Sequence, residues 1–520
     1  MNEMLHNMGN ASVVMLTCWL LFLAAAVYSF FRKPLLTPYF LFTAAACIAA
    51  AFALLVPFLY PWDEQFHALV GKNMSHDPLV PRLIRHHPLD VYRDSWLNGE
   101  IWLHKPPLFT WQMALSVKLF GNTAFAIRLP SVLFHGVLAV AIFRMGTLVF
   151  NRRTGFIAAL LIMHSSFLLG LISGKMTTDH NDVVFLGYIT LSMWAWMEWN
   201  ASAHRKWLWW IGIFAGCAVL TKWLVGLLLF AGWGMVILSR LRRENFWQLV
   251  RPMLLSLCVT VLVFIPWQIY TFLRFPHVAQ REMEYNSLHI TEAVEHHPGE
   301  YVFHYDRLHD LYFDRSDFLL LFLLGLVCLL RSKRVKRDYK FFFPACIFII
   351  YAFFTYVETK MPAFTLPVMG LALLLVAFGL SEIVQLVPYR WPRRIALMLL
   401  AFIVTWWMLK PADTMEYQEL RTDKSKPYGI GVWQQAYLFS LRHGSDSPRR
   451  VVLGVNYADF AHISWMFFND ELAYPFIPNK TEIEQLQRSG YSVTVIESKG
   501  NVLDSAAALV KGVEVVKVEY

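Results

Sequence analysis

The sequence is short of charge. Asp, Glu, Lys and Arg make up only 16% of its 520 residues, against about 25% in a typical soluble domain. Such a chain has too little polar surface to cover a soluble core of its size, so ordinary soluble classes are set aside first. Cysteine is scarce as well. All six (Cys18, Cys47, Cys217, Cys258, Cys328 and Cys346) fall inside apolar runs, and none lies in a large polar loop. That excludes a disulfide-stapled scaffold and a cysteine-bound zinc module. There is no internal repeat at a solenoid period and no low-complexity tract. The net charge of +9 does not point to nucleic acid, because the basic residues gather in short gaps between apolar segments.

Apolar and aromatic residues are plentiful. The chain is 57% hydrophobic, with 20 Trp, 21 Tyr and 41 Phe, and its mean hydropathy is +0.43. Aromatics in such number suit helices that meet two lipid interfaces. Spans of about 20 residues are expected near 12–31, 38–60, 127–149, 156–173, 182–199, 207–221, 223–239, 252–271, 317–330, 341–357, 363–385 and 395–410. The first lacks a basic leading stretch and ends in Arg32-Lys33, so it reads as a retained helix and not a cleaved signal.

Every second gap is short and basic: Arg32-Lys33, Arg152-Arg153, Arg205-Lys206, "RLRR" at 240–243, "RSKRVKR" at 331–337 and "RWPRR" at 390–394. The positive-inside rule assigns all six to the cytoplasm. The loop 61–126, the turn at 174–181, the loop 272–316, the "ETKMPAF" turn and the tail after about Pro411 then face outward. In the tail, "RVVLGVN", "YSVTVIES" and "VEVVKVEY" read as strands, and "TEIEQLQRSG" and "VLDSAAALVKG" read as helices ending at Gly490 and Gly512. Alternating strands and helices imply a small parallel sheet. The expected fold is therefore mainly α: a polytopic membrane domain of about twelve helices (11–13) over 1–410, then a small extracytoplasmic α/β domain over 411–520.

Chemistry-bearing residues crowd the outer side. "FLYPWDEQF" places Asp63 and Glu64 together at the exit of the second span. Acids there either complement a helix N-terminus or serve as a half-desolvated base. In "WLHKPPLFTWQM" two prolines hold Lys105 in extended backbone, and Pro107 starts an interfacial helix. A fixed ammonium at headgroup depth suits a lipid phosphate, whereas a plain interfacial lysine would only snorkel. "GKMTTDHNDVV" carries Asp179 and Asp182, which either cap the next helix or form a second acidic wall. Lys222 and Lys360 interrupt apolar segments, which is costly and usually functional. With Lys105 they are expected to line one phosphate pocket. The histidine-rich loop 272–316 has neither HExxH nor another ligand spacing, so its histidines read as ordinary surface or pocket residues, and a divalent metal finds no support.

In this order, the acidic pair, "HKPPL", "TTDHND", "LTKWLVG" and "TKMPAFTLP" resemble the polyprenyl-phosphate-dependent glycosyltransferases of the glycosyltransferase-C superfamily. The branch is that of the lipid A aminoarabinose transferase and the protein O-mannosyltransferases, and the resemblance covers roughly 35–410. It implies an inner-membrane enzyme that moves a sugar, with inversion, from a polyprenyl-phosphate carrier to an extracytoplasmic lipid A, glycan or protein acceptor. No cofactor is called for, and the partners are the lipid-linked donor, the acceptor and the bilayer. Asp63 would be the principal catalytic carboxylate with Glu64 its neighbour, Lys105 would hold the donor phosphate, and Asp179 and Asp182 would flank the sugar or acceptor. Two positions depart from the family pattern: His104 stands where an acid is usual, and Phe364 where Tyr is usual. The rival readings are a polytopic transporter, a flippase or polymerase of lipid-linked glycans, and a relative kept as an assembly factor. The first lacks its usual matched halves, the second does not need the Lys-Pro-Pro element, and the third does not need the full set of acids.

Overall fold

A computed structural model describes residues 2–85, 87–89, 96–176, 178–386, 390–409, 437, 439–445, 449–455, 460–498 and 510–518. Two helices, α1 (Asn2–Arg32) and α2 (Thr37–Ala53), open the chain as an antiparallel pair. Ser12 reaches the Ala51 carbonyl at one end, and Ser29 meets Thr37 at the other. The second expected span runs to residue 60, but α2 stops at Ala53. Pro57 and Pro61 cannot continue its hydrogen-bond ladder, and the Arg128 guanidinium collects the carbonyls of Ala53, Val56 and Phe58 in the stretch that follows.

Two helices of the first long loop come next, α3 (Asp63–Met74) and α4 (Pro107–Phe120). Pro107 starts α4 as expected, behind an extended Pro106. The bundle continues with α5 (Ala124–Val149), α6 (Arg152–Met163), α7 (Ser166–Ile172), α8 (Asn181–Ser202), α9 (Lys206–Lys222), α10 (Leu228–Arg240) and α11 (Phe246–Arg274). After it lie α12 (Pro276–Thr291), the short α13 (Phe303–Asp306) and α14 (Leu308–Leu311), then α15 (Arg315–Arg331), α16 (Arg337–Tyr356), α17 (Met369–Gln385) and α18 (Arg390–Leu409). Among the described residues, seven helical stretches are long and apolar enough to cross a membrane, and the pair α6–α7, bent by 44°, makes eight.

That tally treats Lys206–Arg240 as one stretch, but it folds as two legs. Lys222, at the end of α9, pairs with Asp182 at the start of α8. Arg240, at the end of α10, pairs with Asp338 at the start of α16. Lys336 beside it donates to the Asn200 carbonyl at the far end of α8, and the 22 residues of α8 separate its two ends by about 33 Å. The reversal occurs at Trp223, whose φ is +58°, and Gly226 packs there against the backbone of Ala218 and Val219.

The bundle thus has two unlike ends. The basic gaps around Arg152, Arg240 and Arg331 share one of them, and Asp63, Asp182 and Lys222 share the other. Between these ends a continuous apolar core runs through α5, α6, α8 and α17. α17 is the most enclosed candidate span, 94% buried.

The tail holds a four-stranded sheet, wholly parallel, in the order β2-β1-β3-β4. Its strands are β1 (Arg450–Leu453), β2 (Leu472–Tyr474), β3 (Ser492–Glu497) and β4 (Val513–Lys517). β2 is the strand that sequence reading omits, since three residues are too few for a period-two pattern. Helices α19 (Ala461–Phe468) and α20 (Lys480–Arg488) accompany the sheet. α20 begins with an Asn479/Glu482 capping box, and Gly490 follows it at φ +86°. Most of the helix expected in "VLDSAAALVKG" lies outside the described residues. α19 lies on α3, where the Lys72 ammonium donates to the carbonyls of Met466, Phe467 and Asn469 at the end of α19.

Candidate active site

The adjacent carboxylates at the start of α3 point to different places. Asp63 is half-buried and lines a cavity of about 200 Å³ at the end of the bundle away from the basic gaps. Lys105, Lys222, Asn286, His289 and Glu295 line the same cavity, with an apolar wall that includes Phe354 and Phe364. Carboxylates at a helix start are favoured by the exposed N–H groups and the helix dipole, and Trp62 before them supplies no side-chain cap.

Glu64 turns inward instead. It is 2% exposed and takes a two-pronged bond from Arg128, with Nε 2.6 Å from Oε1 and Nη2 3.1 Å from Oε2. The Tyr60 backbone N–H also donates to it at 2.6 Å. His180 Nε2 lies 3.6 Å from Glu64 and 3.3 Å from Asp179. Asp179 in turn is bonded to His67 of α3 and accepts the His180 N–H at 2.5 Å. Burial alone would raise the Asp179 carboxyl, but the neighbouring His180 and His67 outweigh it and hold it down at about 2. A buried polar chain Arg128–Glu64–His180–Asp179–His67 therefore ties α3 to α5 and to the start of α8.

Asp182 is buried too, bonded to Thr178 at 3.0 Å and to the Lys222 ammonium. It anchors a cation of the cavity without lining the cavity itself. Lys222 Nζ also sits 5.8 Å from the centre of the Phe364 ring, so the ring standing where Tyr is usual serves as an aromatic face for the ammonium.

Of the three lysines expected in one pocket, two are there. Lys360 differs: its ammonium caps the end of α16, donating to the carbonyls of Phe354, Thr355 and Val357. The reason is local, since those carbonyls have no helical partner and Lys360 follows within a few residues.

Lys105 is held from behind. Its Nζ lies 3.3 Å from His104 Nε2, and His104 Nδ1 lies 3.2 Å from Glu282 of α12. The imidazole is stacked on Trp96 with 4.4 Å between ring centres. Burial, then the Lys105 charge, pushes its pKa well down, which favours the neutral ring, and a neutral imidazole between an ammonium and a carboxylate can accept at Nε2 and donate from Nδ1. Sequence reading gives the histidine only as a missing acid. In the structure it relays a carboxylate to the lysine.

Glu295 and His289 are the titratable residues of this cavity that sequence reading leaves unassigned. Glu295 stands at φ +57°, a left-handed backbone rare for its type. It accepts from the Tyr285 hydroxyl at 2.9 Å, and burial raises its pKa, opposed by Lys105 and reinforced by Asp63. Burial, then Lys105, lowers His289 to about 4. Among the described residues no group of three His, Cys, Asp or Glu side chains is placed to hold a metal ion.

The fold and cavity define a class: a bundle of helices long and apolar enough to cross a membrane, with a charged pocket at one end. Over residues 104–270 the chain matches the family described as dolichyl-phosphate-mannose-protein mannosyltransferase. It is 26% identical over 344 residues to undecaprenyl phosphate-alpha-4-amino-4-deoxy-L-arabinose arabinosyl transferase 2 of Proteus mirabilis (62% of this chain, 56% of that one). To arabinosyl transferase 1 of Pseudomonas fluorescens it is 27% identical over 313 residues (56% and 52%). The chain thus spans little more than half the length of the curated relatives it matches. Its fold is similar to that of ArnT from Cupriavidus metallidurans bound to undecaprenyl phosphate, with a TM-score of 0.55 at 16% identity, covering 82% of this chain and 75% of that one. The resemblance carried by the sequence motifs is thus matched by relatives and by fold.

Proposed function

We propose that the protein is an integral-membrane glycosyltransferase that moves a sugar from a polyprenyl-phosphate carrier to an extracytoplasmic lipid, glycan or protein acceptor. The observation that carries this reading is the convergence of Asp63, Lys105 and Lys222 on one cavity. In the reaction the bond between the anomeric carbon and the donor phosphate breaks, and the phosphate leaves with the electron pair. The acceptor oxygen bonds to the anomeric carbon from the opposite face, which inverts it, and a hydroxyl acceptor gives its proton to Asp63. Positive charge builds on the sugar and negative charge on the leaving phosphate. Lys105, braced by His104 and Glu282, and Lys222, braced by Asp182, are preorganised for that phosphate. Glu64 and Asp179 hold α3 and the approach to α8 in place. The carrier brings the activated sugar with it, so no nucleotide is needed.

In this reading α1, α2, α5, the α6–α7 pair, α8, α9, α10, α11, α15, α16, α17 and α18 each cross an inner membrane. The basic end is cytoplasmic, and both the cavity and the α/β tail from about residue 411 are periplasmic. The activities for which the relatives are named support the donor class, and the six basic gaps support the orientation.

The test is transfer by purified protein in lipid, from a panel of undecaprenyl-phosphate sugars to lipid, glycan and peptide acceptors, read by mass spectrometry. Asp63→Asn is expected to lose ~10²–10⁴-fold in rate and Lys105→Ala ~10²–10³-fold, with both proteins folded. Wild-type turnover in Asp63→Asn overturns the assignment.

A further inference from the structure

A second cavity lies at the other end of the bundle, far from Asp63. It is a half-open concavity of about 840 Å³, framed by the ends of α5, α6, α15 and α17 and the link between α15 and α16. Five cationic side chains line it, Arg152, Arg153, Arg331, Lys333 and Arg334, against one carboxylate, Glu382. That carboxylate already accepts from Gln385 at 2.7 Å. Two other arginines at this end are paired with acids: Arg144 with Glu198 and Arg240 with Asp338. No ion pair among the described residues involves Arg331, Lys333 or Arg334. Arg152 is engaged elsewhere, by Thr37 at 2.9 Å and over the Phe30 ring, so the charge left for a ligand is that of Arg331, Lys333 and Arg334, which exceeds the one carboxylate of the lining.

Its floor is apolar. Phe150 stacks on Phe378 with 4.3 Å between ring centres, and Leu324 and Val327 of α15 form a wall. Val327 is 44% exposed and belongs to an exposed stripe with Leu320, Leu323 and Leu330, spaced to lie along one side of α15. The cations thus sit over an apolar face that leads out of the cavity along the helix. The framework is stiff, because Gly325 of α15 packs directly on the Leu375 backbone of α17.

We propose that this cavity is a binding site for the headgroup of an anionic phospholipid carrying two phosphates, with its acyl chains laid along the exposed stripe of α15. The volume falls in the range of ~300–1,000 Å³ that specific ligand sites occupy. A single phosphate leaves most of the cationic charge unmatched, and a second one within the same headgroup adds attraction without a second ordering cost. Basic pockets between membrane helices are the expected receptors for such headgroups. The proposal rests on the chain spanning a bilayer and is independent of the glycosyl-transfer reading.

The experiment is native mass spectrometry of the full chain in detergent, titrated with cardiolipin, phosphatidylglycerol, phosphatidylethanolamine and inorganic phosphate. Cardiolipin is expected to be retained most tightly, phosphatidylglycerol less, and phosphatidylethanolamine not measurably. The triple variant Arg331→Gln/Lys333→Gln/Arg334→Gln should lose cardiolipin affinity by roughly 10- to 100-fold. Arg242→Gln/Arg243→Gln, which removes exposed charge from a gap outside the cavity, should retain it. Equal loss in that control, equal retention of phosphatidylethanolamine, or displacement of cardiolipin by inorganic phosphate at matched concentration overturns the proposal. If the triple variant does not fold, the exposed single change Lys333→Glu carries the same comparison.

Discussion

At the residue scale, two adjacent acids with opposite surroundings show what a side chain's environment adds to its identity. Asp63 faces a cavity and Glu64 an arginine, although they differ by a single step along one helix. Their neighbour Asp179 makes a prediction with a definite sign. Its carboxyl is held at about 2 in the folded protein, below the ~3.9 of an unfolded chain. The stabilisation it gives is therefore present above about pH 4 and is lost as pH falls from about 4 toward about 2. Thermal unfolding midpoints measured from pH 7 downward should show Asp179→Asn less stable than wild type near neutrality, with the two curves converging at the acid end. A gap that stays constant down to pH 2 would sink this account. Glu295 has the opposite sign. Its pKa is raised by burial, so it ionises at a higher pH than an exposed glutamate and then places negative charge where the donor phosphate should bind. The donor KM is expected to climb as pH rises through that ionisation and to stay flat in Glu295→Gln. A KM that climbs equally in both proteins removes Glu295 from the account.

At the scale of elements, the junction of α2, α3, α5 and α8 depends on one glycine. Gly174 has φ +63°, and a β-carbon there would collide with the Arg128 guanidinium and the Glu64 carboxylate. Gly174→Ala is thus expected to part a buried ion pair and to cost about as much as deleting one partner, ~3–5 kcal/mol. Glu64→Gln should cost a comparable amount, since it leaves Arg128 buried without its counter-charge and turns an amide NH2 toward an N–H donor. Denaturation in detergent compares the two, and a Gly174→Ala protein as stable as wild type removes the glycine from the argument. This junction also marks where sequence reading runs out. A helix accompanies each expected span because each is announced by an apolar run, and the start of α4 by Pro107. The ends of elements are set by partners distant in sequence. Arg128 fixes the exit of α2 from 70 or more residues away, and no local pattern records that. The site was legible in part for the same reason. Asp63, Lys105 and Lys222 stand out as charges amid apolar residues, whereas Glu282 and Glu295 lie in a polar loop where a carboxylate is unremarkable until α12 brings it to Lys105. Lys360 stood out just as plainly, and the nearest unpaired carbonyls took it.

At the scale of the whole molecule, the tail is packed against the loop that carries the site. A shared apolar cluster joins Phe66 and Leu69 of α3 and Trp96 and Trp102 of the loop between α3 and α4 to Val452, Ile463, Trp465 and Ile496 of the tail. At its edge Lys72, 4% exposed, donates to three carbonyls at the end of α19. These bonds satisfy helix-end oxygens that burial would otherwise leave unpaired, at ~1–3 kcal/mol each. The first turn of α3 presents Asp63 and its last turn presents Lys72, so loosening the tail should reach the cavity through a single rigid helix. Lys72→Met keeps the length and apolar body of the side chain while deleting its three donors. The expected result is faster proteolysis within the tail and a moderate fall in transfer rate, severalfold and well short of the loss in Asp63→Asn. Limited proteolysis and turnover measured on the same preparation separate the possibilities. A tail that loosens while transfer holds at the wild-type rate makes the sheet a passive appendage. Loss of both together makes it part of the scaffold that sets the geometry of Asp63.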